Sequence, residues 1–168
     1  GKSKWKNFKN LNKNSIGIEL VNKGHEHGYQ NFSNIQITSL ISLCKNLKKK
    51  YRIKSENFLG HSDIAPLRKL DPGEKFPWKK LSKYKLGCWY KDSNKKIKLT
   101  GQKKIENLFF NNLNKIGYRY FKINKRAKED KLIILSFQKH YLPQNISGKI
   151  DLKTLKVSYF LVKELNLA

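Results

Sequence analysis

Apolar residues in this chain follow two rhythms. The run SIGIELV (15–21) is short, nearly continuous and rich in β-branched residues, which predicts a buried strand. A glycine-bounded loop, NKGHEHGYQN (22–31), follows it. The pattern then changes. Ile37, Leu40, Ile41, Cys44 and Leu47 recur at steps of three and four behind Ser33. That spacing predicts an amphipathic helix capped by Ser33 and running to about Lys50, with lysines in its last turns, where they favour the helix dipole. Residues 57–61, NFLGH, read as a second strand ending at His61. The order strand, helix, strand predicts a βαβ-like unit in a mixed α/β sheet.

Beyond residue 78 the pattern weakens. KKLSKYKLGCWYKDSNKKIKLT (79–100) is lysine-rich and weakly periodic. A boundary there divides the chain into an α/β part at 1–86, a linker at 87–100 and a helical part at 101–168. In the helical part the spacing predicts helices at 102–116, at about 127–141 and at about 151–165. Ile105, Leu108, Phe109 and Leu113 mark the first. Leu132, Leu135 and Phe137 mark the second, and Leu155, Phe160 and Leu161 the third, which Asp151 caps. Three short helices make a bundle near the lower size limit for independent folding. The first 14 residues are polar and basic with Trp5 and Phe8 interleaved, and read as an extended lead-in.

Composition narrows the classes. The net charge is +25, which favours acidic partners. However, 33 of the 37 basic residues are lysine, and Asn and Ile are abundant, as codon bias in an A/T-rich genome would give. Attraction to acidic surfaces is then a by-product. No apolar run nears the roughly 18 residues that span a bilayer, and the first 15 residues carry no apolar signal-peptide core. Cys44 and Cys88 do not form a metal-type pair, and nothing in their spacing supports a disulfide. Trp5, Phe8, Trp78, Trp89 and Tyr90 lie among lysines and could make a stacking surface for single-stranded nucleic acid. Scarce arginine argues against base readout, and a folded core explains the rings more simply, so no nucleic-acid partner is expected.

The chemistry concentrates in GHSDIAPLRKLDPGEKFPW (60–78). His61 closes the predicted strand, and Asp71 follows ten residues later. Pro66 and Pro72 bias Ala65 and Asp71 away from helix, so the intervening segment is a pre-shaped loop that can return Asp71 towards His61. A neutral imidazole beside a carboxylate suits Zn²⁺, and Lys69 could project a cation into the same place. Spacing alone leaves a structural histidine as the commoner case. The nearby GHEHGY (24–29) lacks HExxH spacing; His25 or His27 could serve as a ligand only by folding back over the sheet, and a substrate-facing or solvated loop is the better reading. Asp63 reads as a turn or cap residue. His140 reads as a surface or partly buried structural residue.

The 60–78 stretch resembles the signature of the zinc-dependent N-acetylmuramoyl-L-alanine amidases of the type-2 amidase family, GH-x-x-IAP-x-RK-x-DPG-x-x-FPW. NSIGIEL (14–20) resembles the family's second motif. In the helical part, FQKHYLP (137–143) and GKIDLKTL (148–155) resemble the peptidoglycan-binding-like domain of the periplasmic, lipoprotein-type members. The resemblance implies a peptidoglycan amidase that cuts the bond between N-acetylmuramic acid and L-alanine, with peptidoglycan or muropeptides as partners and a periplasmic or cell-envelope location. It implies His61 and Asp71 as zinc ligands, Glu19 as the catalytic acid–base and Lys69 as a catalytic cation. The family's third ligand is a histidine well upstream of the SIGIEL strand, and no histidine precedes Ser15 here. The chain, which contains no methionine, is therefore expected to lack the N-terminal part of the catalytic domain, to bind zinc less well than a three-ligand site, and to be at best weakly active. Any membrane attachment would come through that missing part. The alternative is a peptidoglycan-binding protein that has lost its metal site.

Overall fold

A computed structural model describes residues 2–92 and 101–167. Most of the predicted linker, residues 93–100, lies outside the described residues. The chain is mixed α/β. Among the described residues it has one two-stranded antiparallel hairpin, β1 (Lys4–Trp5) with β2 (Phe8–Lys9), and six helices: α1 (Asn34–Tyr51), α2 (His61–Ile64), α3 (Trp78–Ser82), α4 (Gln102–Ile116), α5 (Asp130–Tyr141) and α6 (Leu152–Glu164).

Helix α1 forms where its spacing predicts. The Ser33 hydroxyl accepts from the Gln36 N–H at 3.2 Å, and the Gln36 side chain accepts from the Ser33 N–H at 3.0 Å, a reciprocal cap that satisfies two otherwise orphaned donors. Arg52, in the left-handed conformation, ends the helix. Ile37, Leu40, Ile41 and Cys44 are buried against Phe76, Trp78, Leu81 and Leu86. Each such fully buried aliphatic side chain contributes about 1.5–3 kcal/mol. This cluster seats the 60–78 stretch on α1.

The second core lies among α4, α5 and α6, with Phe109, Phe110, Leu113, Phe137, Leu155 and Leu161 fully inside. The Asp151 carboxylate caps α6, accepting from the Thr154 N–H at 2.7 Å. The buried face of α5 differs from the predicted one. Ile133 and Ile134 turn inward with Phe137, while Leu132 is exposed. The run of four apolar residues at 132–135 left the helix phase ambiguous, and packing against α4 and α6 resolved it.

The lead-in is not a loose tail. Trp5 is buried, and its ring meets Tyr118 edge-on at 5.0 Å. A Cβ at Gly117 would fall 2.5 Å from that ring, so only glycine allows the approach. The Lys6 N–H donates to the Gly117 carbonyl at 2.8 Å, and Arg119 donates to the Lys6 carbonyl at 2.8 Å. Leu59, Ile64 and Trp89 also pack on the helical core.

The predicted strands do not form. Residues 15–21 and 57–61 join no ladder, so no βαβ unit and no larger mixed sheet is present among the described residues. A strand is stable only when neighbours pair its backbone groups, and among the described residues neither run has a paired strand beside it. Phe58 and Gly60 keep extended backbone angles without a partner. His61 opens the short helix α2 instead of closing a strand. The cysteines are free, Cys44 buried and Cys88 half-buried. Among the described residues no helix is long and apolar enough to cross a membrane.

Candidate active site

The 60–78 stretch holds its shape largely through its own backbone. The Ala65 N–H donates to the His61 carbonyl at 3.0 Å, and the Lys69 N–H to the Ala65 carbonyl at 3.1 Å. Most telling is the bond from the Ser62 N–H to the Asp71 carbonyl at 2.9 Å. It ties the two arms of the loop together, from the residue after His61 to the backbone of Asp71 itself.

That tie brings the side chains into contact. His61 Nδ1 lies 3.1 Å from Asp71 Oδ2. Both are open to solvent, with 37% of the imidazole and 61% of the carboxylate side chain exposed, so a cation could reach them. The donor types fit a borderline divalent ion such as Zn²⁺. Among the described residues, however, no group of three or more His, Cys, Asp or Glu is arranged to hold a metal. The fit is therefore that of a two-donor pair.

The other two candidates are not gathered with the pair. Lys69 is half-buried and Glu19 is exposed. Neither side chain makes a hydrogen bond or ion pair with His61 or Asp71, or with any other described residue.

On the inner side of His61, Asp63 is almost fully buried and accepts three hydrogen bonds. The Gly60 N–H donates to Oδ2 at 2.7 Å, His140 Nδ1 lies 2.8 Å from the same oxygen, and the Tyr118 hydroxyl donates to Oδ1 at 2.5 Å. Burial first, and the Asp63 charge second, push the Tyr118 hydroxyl well above its ordinary pKa, so it remains a donor. The buried imidazole of His140 is sandwiched between Trp78, at 4.1 Å, and Tyr141, at 3.9 Å. Asp63 does cap its turn, as the sequence suggests. Its long-range partners, Tyr118 and His140, carry no local signal: they are 55 and 77 residues away.

On the outer side, the 24–29 loop closes over the DPGEK turn. The Tyr29 hydroxyl donates to the Pro72 carbonyl at 2.6 Å and accepts from the Lys75 N–H at 3.0 Å. Lys75 Nζ reaches the Tyr29 carbonyl at 2.7 Å. Burial pushes the Tyr29 pKa up to about 12. His25 packs on Tyr29 and lies 3.0 Å from Glu74. It is engaged there, not beside His61 and Asp71, and His27 is exposed. The loop is thus a clamp on the turn that carries Asp71. Tyr29 was missed from sequence because a tyrosine between loop residues has no periodic signature. A separate cleft of about 600 Å³, lined in part by Lys79, Lys83, Trp89, Tyr90 and Leu165, includes none of the four candidate residues.

Three comparisons bear on this geometry. A family model described as N-acetylmuramoyl-L-alanine amidase matches residues 2–74. The chain is 33% identical to N-acetylmuramoyl-L-alanine amidase AmiD of Escherichia coli over 172 residues, covering 98% of this chain and 62% of that protein. It is 36% identical to 1,6-anhydro-N-acetylmuramyl-L-alanine amidase AmpD of Haemophilus influenzae over 81 residues, covering 48% of this chain and 42% of that one. Among solved structures it resembles E. coli AmiD in complex with the substrate anhydro-N-acetylmuramic acid-L-Ala-D-γ-Glu-L-Lys. The TM-score is 0.83 at 30% identity, covering 100% of this chain and 68% of that one. Pseudomonas aeruginosa AmpDh3 in complex with anhydromuramic pentapeptide gives a TM-score of 0.82 at 29% identity, covering 98% and 68%. The chain thus spans about three fifths of the E. coli relative, 62% of its length.

Proposed function

Because this chain belongs to the N-acetylmuramoyl-L-alanine amidase family, we propose that it acts in hydrolysis of the amide bond between N-acetylmuramic acid and L-alanine in peptidoglycan or muropeptides. The observation that carries this reading is the contact between His61 Nδ1 and Asp71 Oδ2 at 3.1 Å, in a fold that overlays along its whole length on an amidase bound to such a substrate.

In this reading His61 and Asp71 hold Zn²⁺. When bound, the ion lowers the pKa of a water and polarises the scissile carbonyl. Glu19 takes the proton from the attacking water and returns it to the leaving amine. Lys69 offsets the negative charge that develops on the carbonyl oxygen. Residues 1–86 belong to the catalytic domain and 87–100 to a linker. Residues 101–168 form a peptidoglycan-binding-like helical domain of the kind found in lipoprotein-type members, and the protein works in the periplasm or cell envelope.

A second reading has one observation in its favour. Among the described residues the ligand set stops at two, which suits a peptidoglycan-binding protein without a metal. Zinc content after purification, together with release of stem peptides from purified peptidoglycan, separates the two. Stoichiometric zinc that disappears in His61→Ala, with peptide release lost in step, supports the hydrolase. Retention on peptidoglycan with neither zinc nor release supports the binding protein.

A further inference from the structure

The Asp63 network has no part in the chemistry just described, yet it is among the most heavily invested polar features of the molecule. A buried carboxylate is costly unless donors surround it. Here three donors come from three places in the chain: the Gly60 N–H, the Tyr118 hydroxyl just after α4, and His140 on α5. Asp63 is 1% exposed, Tyr118 0% and His140 4%. The only polar atom of this group left without a partner is His140 Nε2.

The connection to the candidate ligands is short. Asp63 fixes the Gly60 N–H, one residue before His61. Its own N–H donates back to the Gly60 carbonyl at 3.1 Å, and the neighbouring Ser62 N–H holds the Asp71 carbonyl. The turn that aims the His61 side chain is thus gripped from the helical part, and the Asp71 arm is hooked to that same turn. Trp78, at the end of the same stretch, stacks on the face of His140, a second grip from α5.

We propose that Asp63, held by His140 and Tyr118, is a positioning residue that sets the His61–Asp71 pair, so that the helical part is a structural member of the site and not only an appended binding module. The proposal rests on the reading of His61 and Asp71 as metal ligands. Outer partners of ligand residues commonly change metal affinity 10- to 100-fold when removed. Because Asp63 acts through the backbone of the turn, the lower end of that range, about 10-fold, is expected.

The test uses the whole chain with Co²⁺ as a spectroscopic probe of zinc-type sites, and NMR of the His61 ring in the metal-free protein. His140→Phe keeps a flat ring between Trp78 and Tyr141 but removes the donor. Tyr118→Phe removes only the hydroxyl. His140→Asn returns an N–H donor near the position of Nδ1. His61→Ala is the control for the metal reading, and a cooperative thermal transition shows that each variant folds. The expected result is a Co²⁺ signal abolished by His61→Ala, affinity reduced about 10-fold by His140→Phe and by Tyr118→Phe, and partial recovery in His140→Asn. The His61 ring resonances of the metal-free protein should shift in His140→Phe. If His61→Ala abolishes binding while a folded His140→Phe binds as the parent does with unchanged His61 signals, the positioning role is overturned and the metal reading stands. If His61→Ala leaves Co²⁺ binding unchanged, the metal reading fails. The NMR arm then decides the positioning role alone: shifted His61 resonances support it and unmoved ones overturn it.

Discussion

The two stretches that carry the predicted catalytic groups are held in opposite ways. Residues 60–78 are a loop with one very short helix, α2, yet Ala65, Phe76 and Trp78 are buried, Asp63 is locked from three sides, and Tyr29 clamps the far turn. Residues 15–21 have the stronger strand signature. In the structure Ile16, Ile18 and Val21 are 51%, 39% and 89% exposed, and Glu19 has no partner among the described residues. Order here does not follow secondary-structure propensity. It follows whether the chain supplies something to pack against. The loop has α1, α3 and α5. Among the described residues the strand-like run has no paired strand, and of its apolar side chains only Leu20 packs, half-buried, against the α1 core.

The contrast breaks most visibly at Asp63. Asp63→Ala leaves His140 Nδ1, the Tyr118 hydroxyl and the Gly60 N–H without their shared acceptor in the interior. Removing one partner of a buried polar network costs about 3–5 kcal/mol. In a protein of this size that lowers the Tm by roughly 10 °C. Thermal unfolding followed by circular dichroism measures it. A loss under about 1 kcal/mol would show that the loop is not held by this network.

Gly73 sharpens the comparison at the other end of the loop. Its φ is +80°, and a Cβ there would lie 2.6 Å from the Tyr29 hydroxyl oxygen. Gly73→Ala should cost about 1–3 kcal/mol through backbone strain and the clash. In a Tyr29→Phe background the 2.6 Å contact is removed, while the ring carbon at 2.9 Å and the backbone strain remain. The double variant should therefore lose less than the sum of the two single losses. Additive losses would mean that the clamp and the turn are independent.

An acid limb of stability belongs to the same stretch. Burial tends to raise the Glu74 pKa, but its backbone hydrogen bond and His25 outweigh that and hold the carboxyl below its ordinary value. A carboxylate depressed on folding adds stability that is fully present above the unfolded value, about 4.3, and is lost as pH falls towards the folded one. Glu74→Gln should flatten that limb in urea midpoints measured below about pH 4.5, with a small loss near neutrality. An unchanged acid limb would place the acid sensitivity elsewhere.

Legibility in the sequence divides along the same line. Elements that local rules determine were readable: α1 with its Ser33 cap, α6 with its Asp151 cap, and the positions of α4 and α5. So was the approach of Asp71 to His61, because prolines shape the loop between them. The strands were misread because a short β-branched apolar run reports a surface to be buried, and cannot report whether the neighbours that bury it are there. Trp5, Tyr29, Tyr118 and His140 were misread or missed for a different reason. Each finds its partner tens of residues away or more, and a polar or ring contact over that distance leaves no periodic trace.

The smallest expected effect tests the exposed side of the comparison. Glu19 is exposed and has no partner among the described residues, so Glu19→Gln should change stability by less than about 0.5 kcal/mol; Val21→Lys, on the same run, should do likewise. Two substitutions with equal silence in folding should then separate in chemistry. If Glu19 supplies the base, Glu19→Gln cuts the release of stem peptides by about 100-fold or more while Val21→Lys leaves it intact. A Glu19→Gln protein that releases peptide as the parent does removes this carboxylate from the mechanism without touching the metal pair. A marked loss of stability in either variant would mean instead that the 15–21 run is packed in solution, and the opposition between the two stretches would fall.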